Sequence, residues 1–197
     1  IYSKKGKIYF FPNSKELNLK DVKSIKGFYN DICPDLIINL GAYTNVDGAE
    51  ENKEQAYLVN CEGVKNLADL ASDNKIPLVH FSTDYVFNGD SKKPYLESDN
   101  VEPLNIYGKT KLRGDEAIQQ VLSSNSIIVR TSWVYSEHGN NFVKTILRLA
   151  EEKDEIHVVD DQFGSPTNVN DLAKAVIDLL SKYSFSKMEL YHFSNRG

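Results

Sequence analysis

Short, near-continuous apolar runs recur along the chain, and they restrict its fold more than any other feature. KIYFF (7–11), LIINL (36–40), IPLVHF (76–81), SIIVR (126–130) and IHVV (156–159) are each too brief for a helix and are rich in β-branched and aromatic residues. They read as strands, and the lack of polar alternation predicts cover on both faces, as in a parallel sheet. LYHF (190–193) is a weaker sixth strand. Helical spacing fills the intervals over 20–31, 52–73, 106–123, 140–152 and 169–182. In the second of these, Ala56, Val59, Val64, Leu67, Ala68 and Ala71 share a face. In the last, Leu172, Val176, Ile177 and Leu180 form a stripe that Asn168 or Asn170 would cap. Strands alternating with helices predict an α/β fold with a doubly wound parallel sheet. A length of 197 residues suits one domain.

Composition removes several function classes. A net charge of −5 argues against a nucleic-acid surface, which needs clustered Lys and Arg. No apolar run approaches the roughly 20 residues that span a bilayer, and the first residues lack a signal-peptide pattern. The expectation is a cytoplasmic protein without membrane or nucleic-acid partners. Cys33 and Cys61 read as two reduced thiols, not a disulfide framework. His80 and His157 fall within strands and read as structural, while His138 and His192 lack metal-ligand spacing, so no metal site is expected.

The chemistry gathers after the third run. The stretch 82–105 is long, polar and aperiodic, and it starts at the carboxyl end of a strand, where open α/β sheets bind ligands. Ser82, Thr83, Asp84 and Tyr85 open it. Further on, Tyr107 and Lys111 stand at i, i+4 and therefore on one helix face. An ammonium beside a phenol favours the phenolate, so Lys111 is expected to lower the Tyr107 pKa. A tyrosine tuned in this way exchanges a proton with a carbonyl or alcohol oxygen. Thr83 would offer its hydroxyl to the same oxygen.

Thr83, Tyr107 and Lys111 resemble the Ser/Thr–Tyr–Lys arrangement of the extended short-chain dehydrogenase/reductases. The longer phrases GAYTNVDGAE (41–50), HFSTDYVFNG (80–89), PLNIYGKTKLRGDEA (103–117), RTSWVYSEHGNNFVKTILRLA (130–150) and VVDDQFGSPTNVNDLA (158–173) resemble the dTDP-4-dehydrorhamnose reductase family. The resemblance runs from about residue 7 to 195. It implies a Rossmann-like sheet forming one NAD(P)-binding domain over 1–197, with part of a smaller substrate-binding region around 133–168. The family opens with a glycine-rich strand–turn–helix and continues past this chain's end, so the chain is expected to be an incomplete portion.

By this resemblance, Tyr107 donates a proton to the C4 ketone of a dTDP-sugar substrate, Lys111 holds the nicotinamide ribose, and Thr83 bonds the ketone oxygen. Asp84 and Trp133 match substrate-side positions, and HGNNF (138–142) resembles a substrate-side loop with Asn140 and Asn141 as hydrogen-bonding partners, although capping of the helix that follows explains one of them equally well. Ala42, Tyr43, Thr44, Asn18 and Leu19 match positions lining the dinucleotide. The cofactor is NADPH or NADH: Asn13 stands where the family often carries an Asp that repels a 2′-phosphate. A homodimer is compatible with the family. Two alternatives stay open, another sugar-nucleotide epimerase, dehydratase or reductase, and a non-catalytic regulatory subunit of the methionine adenosyltransferase beta type. Tyr85, which follows the Thr83–Asp84 pair, replaces the further acid that a dehydratase needs.

Overall fold

The computed structural model describes residues 2–4 and 7–196. In chain order its elements are β1 (Tyr2–Lys4), β2 (Lys7–Tyr9), α1 (Val22–Ile32), β3 (Ile37–Asn39), α2 (Val46–Glu51) and α3 (Lys53–Tyr57). A π-helical turn (Leu58–Glu62), α4 (Gly63–Asn74), β4 (Leu78–Thr83) and a 3₁₀ turn (Asp84–Val86) follow, and then α5 (Ile106–Val121), β5 (Ser126–Thr131) and β6 (Val134–Tyr135). The remainder is α6 (Phe142–Glu152), β7 (Thr167–Asn168), α7 (Val169–Leu180) and β8 (Glu189–Phe193). Four strands form one parallel sheet in the order β3-β4-β5-β8.

The strand residues divide between the two faces by the two-residue period of the pleat. Leu78 of β4 and Ile128 of β5 pack with Val64, Ala68 and Ala71 of α4 and with Ile118 of α5. Val79, Ile127 and Val129 point the other way, against Leu172 and Val176 of α7. Helices therefore cover both faces, which explains why these strands read as continuous apolar runs. Ile25 fastens α1 onto Leu67 and Leu70 of α4. Asparagine caps most helix starts: Asn45, Asn105, Asn141 and Asn168 accept backbone N–H groups at α2, α5, α6 and α7. Of the two residues proposed to cap the last helix, Asn168 does so.

Three expectations are corrected. The 7–11 run does not join the main sheet, because Lys7–Tyr9 pairs antiparallel with Tyr2–Lys4 as a two-stranded ribbon. The 156–159 run is not a strand. β8 takes the position beside β5, and Val158 and Val159 are left exposed, without a ladder partner among the described residues. The helix expected over 52–73 is interrupted by the π turn, and the short α2 precedes it.

Candidate active site

The parallel register fixes where the polar residues meet. Thr83, the last residue of β4, faces Thr131, the last residue of β5, so Trp133 emerges from the same end of the sheet. Trp133 is 38% exposed rather than a core aromatic, and it packs edge-on against Phe142 at the start of α6, with ring centroids 5.4 Å apart. The 162–167 segment runs beside it. Thr167 N–H donates to the Trp133 carbonyl at 2.9 Å, and Ser132 Oγ bonds the Ser165 carbonyl oxygen.

Thr83 is buried and densely bonded. Its hydroxyl donates to Asp84 Oδ1 at 3.1 Å, and its oxygen accepts from Tyr85 N–H at 3.2 Å. Tyr107, in the first turn of α5, completes the group by a hydrogen bond with Thr83. The ring of Tyr85 meets Tyr107 edge-on at 5.7 Å. Close approach of the two segments requires Gly108, because a Cβ there would lie 2.2 Å from the Tyr85 carbonyl oxygen. The start of α5 is held by Asn105 Oδ1, which accepts from Gly108 N–H at 2.7 Å, and by Glu50, which accepts from Ile106 N–H at 2.8 Å.

The electrostatics differ from the sequence expectation. Burial pushes the Tyr107 phenol up to about 12, opposed by its hydrogen bond with Thr83 and reinforced by the Asp84 charge. Lys111 is not among the groups that shift it; the lysine turns to the strand and donates from Nζ to the Phe81 carbonyl at 2.6 Å. Burial brings Lys111 itself down to about 8, with Asp115 opposing. Burial also raises the Asp84 carboxyl, against the hydrogen bond from Thr83 and local backbone N–H groups. Asp84 is thus both a turn carboxylate and a neighbour of the Thr83–Tyr107 pair.

The loop after β3 comes alongside through Asn60, a fully buried residue of the π turn. Its Oδ1 accepts from Tyr43 N–H at 2.8 Å, and its Nδ2 donates to the Tyr43 carbonyl and to Thr110 Oγ1, each at 3.1 Å. The segment holding Ala42, Tyr43 and Thr44 is in this way tied to the residue that precedes Lys111. Leu19 lies against Gly41, whose missing side chain leaves room for it. Asn18 accepts from Lys20 N–H at 3.1 Å. Asn141 is engaged as the α6 cap, accepting from Lys144 N–H at 3.1 Å while its amide donates to the Ser136 carbonyl at 2.7 Å.

The sequence reading missed a polar cluster beneath the site, formed by Asn39, His80, Ser82, Asp115 and Arg130, all buried. Ser82 Oγ and Arg130 Nε donate to Asp115 Oδ2 at 2.9 and 3.2 Å. A signal for it existed, since a His inside IPLVHF and an Arg ending SIIVR cannot be buried without partners. Pleat parity sends His80, Ser82 and Arg130 to the α5 face, where Lys111 and Asp115 wait.

A family model described as RmlD substrate binding domain matches residues 2–197. The dTDP-4-dehydrorhamnose reductase of Escherichia coli (strain K12) is 49% identical over 169 residues, covering 84% of this chain and 56% of the relative. The spore coat polysaccharide biosynthesis protein SpsK of Bacillus subtilis is 44% identical over 183 residues, covering 93% of this chain and 63% of the relative. A crystal structure of dTDP-4-dehydrorhamnose reductase from Bacillus anthracis in complex with NADP superposes with a TM-score of 0.88 at 40% identity, over 94% of this chain and 64% of that one. The chain spans between half and two thirds of the length of these relatives. With the motifs in family order and the family model matching from end to end, the chain belongs to the RmlD substrate binding domain family.

Proposed function

We propose that this chain carries the catalytic centre of an oxidoreductase that reduces the C4 ketone of dTDP-4-dehydro-L-rhamnose to dTDP-L-rhamnose with NADPH or NADH. The observation that carries the reading is the hydrogen-bonded Thr83–Tyr107 pair at the carboxyl end of β4, with Lys111 one turn along α5. The names of the relatives and the NADP in the Bacillus anthracis structure support it. A nicotinamide, when bound, supplies the hydride; the residues here supply the proton and the orientation.

A phenol held at about 12 keeps its proton throughout the neutral range. That is the starting state a reductase needs, because Tyr107 then donates as negative charge grows on the ketone oxygen. Thr83 orients the same oxygen, and Asp84 and Trp133 bind the sugar nucleotide beside it, with Asn141 shaping the loop at the head of α6. Lys111 holds the ribose. The segment Ala42–Tyr43–Thr44, with Leu19 against the preceding Gly41, fits a dinucleotide, which Asn18 would also flank: the segment opens at the carboxyl end of a parallel strand and is pinned by Asn60. In this reading 1–197 acts as one NAD(P)-binding domain, with 133–168 on the substrate side. The protein works in the cytoplasm on nucleotide sugars for polysaccharide. Among the described residues no helix is long and apolar enough to cross a membrane.

The test is consumption of NADPH or NADH in the presence of dTDP-4-dehydrorhamnose. Tight cofactor binding without consumption would replace this reading with that of a binding subunit.

A further inference from the structure

We propose that Asn39 and His80 are positioning residues for Lys111: a hydrogen-bond chain beginning at the Gly41 backbone fixes the tautomer of His80 and directs a ring N–H at the lysine amine. The proposal rests on the reading of Lys111 given above. Asn39 Oδ1 accepts from Gly41 N–H at 3.0 Å. A backbone N–H only donates, so this contact decides which end of the Asn39 amide is oxygen. The Nδ2 end is left facing His80 Nδ1 at 3.0 Å. An amide nitrogen also only donates, so Nδ1 accepts and the ring proton resides on Nε2.

That N–H lies 3.4 Å from Lys111 Nζ and 3.9 Å from Asp115 Oδ1, a buried oxygen without a hydrogen-bond partner among the described residues. An ammonium has no lone pair to offer a ring N–H; a neutral amine has one. The Nε2–H tautomer therefore favours the neutral lysine, whereas the Nδ1–H tautomer would present an acceptor and favour the ammonium. The other charges around Lys111 are few. On α5 there are Asp115 and the phenol of Tyr107, and on β5 there is Arg130, whose guanidinium is paired with Asp115 and offsets its charge. His80 is held well below its ordinary value by burial and by Lys111, as a ring with a donor at one nitrogen and an amine at the other requires. The chain starts at the loop assigned above to the dinucleotide and ends at the lysine assigned to its ribose. A ligand that draws on the Gly41 N–H would thus alter the charge of Lys111.

The experiment is NMR on isotopically labelled full-length protein. The ¹⁵N shifts of His80 report its tautomer, and ¹³Cε of Lys111 is followed against pH. The expected result is an Nε2–H ring and a Lys111 midpoint near 8 in the parent. In Asn39→Asp, whose carboxylate accepts from the ring instead of donating to it, His80 should switch to a proton on Nδ1. The Lys111 midpoint should then rise by roughly one pH unit or more. A merely structural role for Asn39 would lower stability and leave that midpoint in place. An Nδ1–H ring in the parent overturns the proposal, and so does a Lys111 rise while His80 keeps its tautomer, which would be a bare charge effect. If Asn39→Asp does not fold, the parent tautomer alone decides. None of these readings needs turnover, so loss of the reductase reading and loss of this proposal are separate results.

Discussion

Lys111 stands one helical turn beyond Tyr107, yet its amine is anchored 2.6 Å from the Phe81 carbonyl on the strand that delivers Thr83. The lysine thus ties α5 to β4, and the phenol keeps the high pKa that burial gives it. Each of the two side chains has its own environment, and they can be tested apart.

Tyr107→Phe removes the proposed proton donor while keeping the ring and its edge-on contact with Tyr85. Turnover should fall by roughly 10²–10⁴, the usual worth of one positioned acid, with little change in affinity for the sugar nucleotide. Thr83→Val should cost less, since it removes a hydrogen bond and not the transferred proton. The double variant should fall short of the sum, because the pair acts as a unit. Steady-state kinetics on the three proteins check this, and a Tyr107→Phe protein retaining most of its turnover would sink the mechanism.

Lys111→Met should reveal a pH signature in stability. The folded lysine titrates at about 8 against 10.5 unfolded, so between these values the unfolded chain binds more protons and stability rises with pH. The contribution is fully present above the unfolded value and is lost as pH falls through the folded one. Its size is about 3 kcal/mol at about 1.4 kcal/mol per pH unit. Denaturant titrations from pH 8 to 10 should show this rise in the parent and a flatter profile in the variant. The variant should also bind cofactor more weakly and turn over more slowly.

Gly108→Ala and Gly114→Ala test how tightly α5 is seated. The added methyl would meet the Tyr85 carbonyl oxygen at 2.2 Å and the Asn60 carbonyl oxygen at 2.3 Å. Both atoms are backbone and cannot swing aside, so each substitution should cost about 1–3 kcal/mol. Thermal unfolding reads the loss. Gly108→Ala should also depress turnover out of proportion, because it shifts the turn that carries Tyr107.

In the proposed reading, cofactor choice turns on a short loop. Asn13 is neutral and its Oδ1 accepts from Lys15 N–H at 2.9 Å, but Glu16 bonds Asn13 N–H at 2.9 Å and returns a carboxylate to the position. With Lys15 adjacent, NADH and NADPH should bind within about tenfold of each other, a difference of about 1.4 kcal/mol. Glu16→Gln should shift the ratio several-fold toward NADPH. Calorimetric titration with both cofactors decides, and a hundredfold preference for NADH in the parent would place the ribose elsewhere.

The parts of the fold legible in the sequence were those with a strong local signal. IPLVHF and SIIVR are strands buried on both faces, LIINL forms an edge strand with Ile38 exposed, and Tyr107 and Lys111 share a face because α5 is regular there. IHVV carries the same local signal, but pairing is a non-local matter, and LYHF of β8 holds the place beside β5. The buried cluster under the site left only a partial trace, the His and Arg inside apolar runs, and their partners were not legible. Asn39 and His80 are far apart in the chain and become neighbours only through strand register, and Asp115 joins them only where α5 packs on the sheet. The Tyr107 pKa was misjudged for a similar reason: spacing brought the lysine near, whereas the burial that raises the phenol is invisible in the sequence.

The π turn at Leu58–Glu62, where Gly63 N–H reaches back to the Leu58 carbonyl, inserts an extra residue into what would otherwise be one helix. Each added residue rotates everything downstream by about 100°. Within the insertion Asn60 is aimed at the Tyr43 loop; downstream Val64, Ala68 and Ala71 are aimed at the sheet. A regular helix could satisfy only one of these aims. Shortening this segment by a single residue should therefore be worse than any single substitution within it, because deletion re-indexes a whole face of α4, whereas substitution alters one point on it.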